Sequence, residues 1–149
     1  MIALATGAID PAALLADFVG QAKGAGAIVS FTGIVRSDDG VDALWLDHHE
    51  GLTLRAVEDL AGQARGRFGV SDVAVVHRVG TVAVGDPVVF VAAAAEHRRA
   101  AFDAVDFMMD ALKSGVPLWK RELRGARADW VEPRASDHAD AARWEKRDG

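Results

Sequence analysis

The sequence predicts a single α+β domain, one with a largely antiparallel sheet and about three helices. Three observations carry this. Apolar residues recur with helical periodicity in three separated segments. Between them lie short β-branched runs, among them AIVSFTGIV (27–35), DVAVVHRV (72–79) and PVVFVAAAA (87–95). Several connections between strands are short turns of hairpin type, which favour an antiparallel sheet. A chain of 149 residues is one domain's length, enough to bury a core without disulfides or metal.

The elements follow in order. Asp10-Pro11 reads as an N-cap with proline at the first helical position, and Leu14, Leu15, Phe18, Val19 and Ala22 share one face, predicting a helix over 11–23. GAGA (24–27) ends it. In the strand at 27–35, Gly33 marks a bulge or a close backbone approach. SDDG (37–40) is a turn, and VDALWLDH (41–48) is expected to pair back on 27–35 as a hairpin. Thr53 is expected to cap a second helix, with Leu54, Val57, Leu60, Ala61, Ala64 and Phe68 as its stripe. Strands follow at 72–79, between Gly80 and Gly85, and at 87–95, where proline takes the tolerated first position. Phe102, Val105, Met109 and Leu112 predict a third helix from Arg99 to Lys113, and Gly115 and Pro117 stop it. Residues 118–124 and 128–132 read as strands, and 133–149 as a polar tail with a short helix near its end.

Composition narrows the function. The absence of cysteine excludes disulfides, thiolate-ligated metals and a cysteine nucleophile. A net charge of -5 argues against general nucleic-acid binding. With no charged-then-apolar leader and no apolar run near the roughly 18 residues that span a bilayer, a soluble cytoplasmic protein is expected. His48-His49-Glu50 resembles a metal cluster, but neighbouring strand residues point to opposite faces and rarely share an ion. No metal and no cofactor are expected.

The cations are more informative. Arginine outnumbers lysine 13 to 4, yet KSGVPLWK (113–120) places two of those lysines around one turn. Lysine differs from arginine in being a compact ammonium able to give up its proton. Arg36, Arg78, His97, Arg98, Lys113 and Lys120 all fall near element ends, where loops build sites. Convergence of such groups would form an anion pocket. At a helix C-terminus the same charges merely complement the dipole, worth about 0.3–1 kcal/mol each. If Lys113 ends a helix and Lys120 opens the next strand, the turn brings both ammonium groups to one pocket. Trp119, pointing the other way, is expected to pack into the core and fix Lys120. From these residues alone, a lysine-based enzyme and a non-catalytic anion-binding module both remain open.

FTGIVR (31–36), HRVG (77–80), HRRAAF (97–102), LKSGVPLWKRE (112–122) and WVEPR (130–134) stand in the order and spacing of one family. The chain resembles the large, catalytic subunit of molybdopterin synthase, the MoaE family, over roughly residues 3–145. LDHHEGLT (46–53) departs from the family's glutamate-histidine-tyrosine-proline-glycine-methionine pattern at Asp47, His49 and Glu50, and the chain contains no tyrosine at all.

The resemblance implies an α/β hammerhead fold and a homodimer. Each subunit would bind a small ubiquitin-like sulfur carrier ending in a Gly-Gly thiocarboxylate, giving a heterotetramer. The enzyme would be a sulfurtransferase of molybdenum cofactor biosynthesis, adding two dithiolene sulfurs to cyclic pyranopterin monophosphate to make molybdopterin. Lys113 and Lys120 match the family's active-site lysines, Lys120 as general acid/base and Lys113 beside the thiocarboxylate carbon. Arg36, His97 and Arg98 match substrate-binding positions. Arg134 matches a position that reaches into the other subunit's pocket, and Arg78 and Glu122 would orient neighbours. The alternative reading is a non-catalytic module of the same fold that binds an anion or a Gly-Gly tail.

Overall fold

The structure is a computed structural model and describes residues 1–148. The chain runs β1 (Ile2–Ala5), α1 (Pro11–Gln21), β2 (Ala27–Ile34), β3 (Ala43–His48), α2 (Glu50–Phe68), β4 (Asp72–Arg78), β5 (Gly80–Ala83), β6 (Pro87–Ala95), α3 (Arg98–Ser114), β7 (Leu118–Arg124), β8 (Arg127–Val131) and α4 (Ala135–Glu145), followed by a 3-10 turn, Lys146–Asp148. The strands form two four-stranded sheets, β1-β4-β6-β2 and β5-β3-β7-β8. Every pairing is antiparallel except β1 with β4. The expected α+β architecture is therefore present, with four α-helices among the described residues rather than three.

The first sheet is covered on both faces, which explains the unbroken apolar run of β6. Phe90, Ala92 and Ala94 face Phe18 and Ala22 at the α1 side. Val89, Val91, Ala93 and Ala95 face the other way, into a core with Val57, Leu60 and Ala64 of α2 and Ala104, Met108 and Leu112 of α3. Asp10 caps α1 as its sequence implies, accepting from the backbone N–H groups of Ala12 and Ala13 at 3.0 and 3.1 Å. At Gly33 an added Cβ would lie 2.7 Å from Val89 Cγ1, and the β2–β6 register shifts between Gly33 and Ile34. The expected close approach and bulge are both there.

Four expectations are corrected. β3 does not return as a hairpin on β2. β2 pairs with β6, and β3 lies in the second sheet between β5 and β7. The chain crosses between sheets at Val35, whose N–H donates to Asp86 O and whose carbonyl accepts from Gly85 N. Leu46 then packs on Val35 and Val82 in a separate small core. The second helix starts earlier than a Thr53 cap requires, because His49 Nδ1 accepts from Leu52 N at 3.2 Å and takes the N-cap role. Phe102 is 53% exposed, so the buried side of α3 is carried by Ala101, Ala104, Val105, Met108 and Leu112. Trp119 is half exposed and does not enter the core.

The segment from Pro133 forms more structure than a polar tail. α4 docks through Trp144, whose ring meets Phe68 and Phe107 edge-on at 5.5 and 5.7 Å. Its indole N–H donates to Asp110 Oδ2 at 2.7 Å, and Arg67 donates to its carbonyl. β1 had no periodic signal of its own. It is recruited by β4, and the Met1 ammonium donates to Val73 O at 3.1 Å.

Candidate active site

The turn after α3 is closed by local hydrogen bonds. Gly115 N–H donates to Ala111 O at 2.7 Å, and Leu118 N–H to Val116 O at 2.8 Å. Gly115 ends the helix and Pro117 prevents its continuation. Lys113 thus stands at the end of a helix and Lys120 inside β7. Both line one cavity of about 320 Å³, with Pro117, Trp130 and Glu132 among its walls. The paired-lysine pocket expected from KSGVPLWK is realised within a single chain.

Each lysine has its own support. Lys120 is half-buried and sits across from Leu46 on β3 and Val131 on β8, so sheet register sets its direction. Lys113 is more open, with 57% of its side chain exposed, and its Nζ lies 3.7 Å from Asp137 Oδ1. Asp137 is itself held by the N–H of Arg134, which donates to Oδ2 at 2.8 Å at the start of α4. At this exposure the ion pair contributes no more than about 1 kcal/mol, and its value is in orientation.

Trp119 alternates with Lys120 on β7 and so belongs to the opposite face of the second sheet, yet at the sheet's end it and Trp130 still line the lysine cavity. On that opposite face, in register, Trp45, Arg121 and Trp130 sit side by side across β3, β7 and β8. The Arg121 guanidinium lies 5.7 Å from the Trp45 ring and 4.5 Å from the Trp130 ring. This face, not the core, receives the aromatic side of the strand.

The other cations are placed elsewhere. His97 and Arg98 line a second cavity of about 490 Å³ with Gly26, Glu96 and Arg99, at the N-terminal end of α3. His97 Nε2 is 3.6 Å from Glu96 Oε1, both side chains being more than 80% exposed. α3 has 17 residues, roughly 25 Å of helix at 1.5 Å per residue, so one chain keeps these cations well apart from the lysines. Arg36 is exposed beside Asp38 at 3.2 Å, outside both cavities. Arg78 is buried, donating to Thr81 O at 3.1 Å and lying 3.5 Å from Asp86. It braces the β4–β5 corner. Glu122 accepts from Arg124 at 2.7 Å on β7. Arg134 is exposed beside Pro133, which lines the lysine cavity.

Sequence reasoning missed three residues near the lysines. Asp137 carries a weak signal, an acidic residue three positions after a helix start. Thr53 reads in the sequence only as a helix cap. Glu132 gave no signal. Among the described residues no group of three His, Asp or Glu side chains is placed to hold a metal. His77 is half-buried, with Nδ1 2.7 Å from Arg78 O. Loss of solvent pushes its pKa below the ordinary value of 6.5, against the opposing effect of that carbonyl. No helix among the described residues is long and apolar enough to cross a membrane.

The family model described as MoaE protein matches residues 4–115. The molybdopterin synthase catalytic subunit of Caulobacter vibrioides is 43% identical over 138 residues, covering 92% of each chain. That of Escherichia coli K12 is 44% identical over 122 residues, covering 80% of this chain and 81% of its own. The solved MoaE protein of Burkholderia ambifaria superposes with a TM-score of 0.83 at 39% identity over 97% of each chain. A Helicobacter pylori structure, the complex of subunits 1 and 2 of molybdopterin-converting factor, superposes with a TM-score of 0.79 at 26% identity, over 89% of this chain and 91% of its own. The chain belongs to the MoaE family of molybdopterin synthase catalytic subunits.

Proposed function

We propose that this protein is the catalytic subunit of a molybdopterin synthase, acting in molybdenum cofactor biosynthesis. It transfers two sulfurs, one from each of two thiocarboxylated small carriers, to cyclic pyranopterin monophosphate, leaving each carrier as its carboxylate. The observation that carries this reading is the pair of lysines from two different elements in one cavity of a MoaE-family chain. A chain with no cysteine has no sulfur nucleophile of its own, so a sulfur that arrives on a partner fits its composition. The Helicobacter pylori relative is a complex of two subunits, and in this reading the carrier's Gly-Gly tail enters the cavity that Lys113 and Lys120 line.

In this reading Lys120 exchanges protons with the reacting substrate as general acid/base. Lys113 stabilises the tetrahedral oxyanion formed at the thiocarboxylate carbon. His97, Arg98 and Arg36 bind the pterin phosphate. Because α3 separates these groups from the lysines of the same chain, a homodimer that presents one chain's residues to the other's cavity completes the site. Arg134 crosses that interface. The assembly is a heterotetramer in the cytoplasm.

The test is reconstitution. The purified chain, a thiocarboxylated carrier ending in Gly-Gly and cyclic pyranopterin monophosphate should yield molybdopterin, and native mass spectrometry should show two copies of each subunit. Tight carrier binding without dithiolene formation would replace this reading with that of a non-catalytic tail-binding module.

A further inference from the structure

Thr53 is fully buried, at 0% exposure, in the first turn of α2. Its Oγ1 donates to the carbonyl of Pro117 at 2.8 Å, across 64 positions of sequence. The same oxygen accepts from the N–H of His49 at 3.1 Å. Both roles of the hydroxyl are therefore used; Pro117 lines the lysine cavity, and His49 follows the strand that pairs with the start of β7. Pro117 is the middle of KSGVPLWK. His49 follows β3, whose last residues, Asp47 and His48, sit across from Trp119 and Leu118.

These contacts have a shared geometry. Lys113 and Lys120 are carried by a helix and a strand, so their separation depends on how the turn between them is seated. The turn's own hydrogen bonds, Gly115 to Ala111 and Leu118 to Val116, are local and set its shape. The hydrogen bond from Thr53 to Pro117 reaches from α2 into the turn's interior and ties that shape to the helix. A buried position that needed only volume would accept valine equally well. Here valine would leave the Pro117 carbonyl and the His49 N–H without their partner.

We infer that Thr53 is a positioning residue for the two-lysine site, its hydroxyl seating the 115–117 turn so that both lysines line one cavity. The inference rests on the reading that Lys113 and Lys120 act in sulfur transfer. Small misplacement of reacting groups is costly, with about 1 Å worth up to about a hundredfold in rate. A loosened turn should therefore reduce turnover more than binding.

The test compares Thr53→Val, Thr53→Ser, Lys113→Ala and Lys120→Ala in the complex with thiocarboxylated carrier. Thr53→Val should lower kcat by about ten- to a hundredfold while KM for the pterin stays within about twofold. Hydrogen exchange in peptides covering 114–119 should quicken by about tenfold, with α1 and β6 unchanged. Thr53→Ser, which keeps the hydroxyl, should restore kcat to within about threefold and restore slow exchange. Wild-type kcat in Thr53→Val beside inactive lysine variants would overturn the inference alone. Equal losses in the valine and serine variants would also overturn it, since packing and not the hydroxyl would then matter. If the valine variant does not fold, the serine variant decides by itself: a kcat more than about tenfold down in a folded protein contradicts the role. Wild-type rates in both lysine variants would sink the underlying two-lysine reading and, with it, the catalytic role of Thr53.

Discussion

The two ends of α3 are built differently. At the C-terminal end, Lys113 and Lys120 project from a helix and a strand into one cavity, braced by Asp137, by cross-strand neighbours and by the Thr53–Pro117 hydrogen bond. At the N-terminal end, His97, Arg98 and Arg99 stand in solvent around an open cavity, and His97 makes no side-chain cap. The first end has supports from several elements, which the proposed proton transfer requires. The second has exposed positive charge around its cavity, which suits a phosphate brought against it by another chain. In the proposed reading, chemistry and substrate binding are divided along one helix, and association is what would reunite them.

The largest way to break this contrast is at the lysines. Lys120→Ala and Lys113→Ala should each lower kcat by about 10²- to 10⁴-fold with carrier affinity little changed, measured by steady-state molybdopterin formation. At the other end, Arg98→Ala should act mainly on KM, raising it roughly tenfold in keeping with loss of one charged hydrogen bond. That increase should shrink with added salt, because the site is exposed. Comparable kcat losses at both ends would erase the division.

Mixing Arg134→Ala subunits with Lys113→Ala subunits tests the reunion directly. If Arg134 works across the interface, a mixed dimer has one doubly damaged site and one intact site. Random re-association should then recover about a quarter of wild-type activity. No recovery would place Arg134 in its own chain's cavity, beside Pro133.

The smallest effect belongs to the frame between the two ends. His77 has its pKa lowered in the folded state by loss of solvent. The unfolded chain therefore takes up the proton more readily, so this contribution to stability is complete above about pH 6.5 and declines as pH falls below it. Urea unfolding at pH 7.5 and 5.5 should show a smaller pH-dependent drop in His77→Gln than in the wild type. An identical drop would mean that His77 is not the responsible group.

Local signals were readable in the sequence, and long-range choices were not. Asp10-Pro11, the apolar run of β6, the tight Gly33 and the Gly115/Pro117 stop each encode their own geometry within a few residues, and each appears where expected. The partner of β3 depends on which sheet closes over Leu46, and nothing in a turn such as SDDG decides that. β1 is four residues long and is ordered by β4. α4 reads as polar because one residue, Trp144, supplies its buried anchor. At the site, the lysine turn was visible from composition and spacing. Thr53 was visible only as a cap, since a hydroxyl bonded across 64 positions leaves no local pattern. Trp119 was misplaced because strand alternation says that it opposes Lys120 without saying which face is the core.

The central claim is that the turn pairs two lysines that must move protons, not merely supply charge. Lys113→Arg and Lys120→Arg test it most directly, because arginine keeps the charge and holds its proton. In single-turnover assays with saturating thiocarboxylated carrier, the account predicts that both variants bind the carrier normally and form molybdopterin at least about a hundredfold more slowly. Wild-type single-turnover rates in both would contradict it and reduce the lysines to electrostatic anchors.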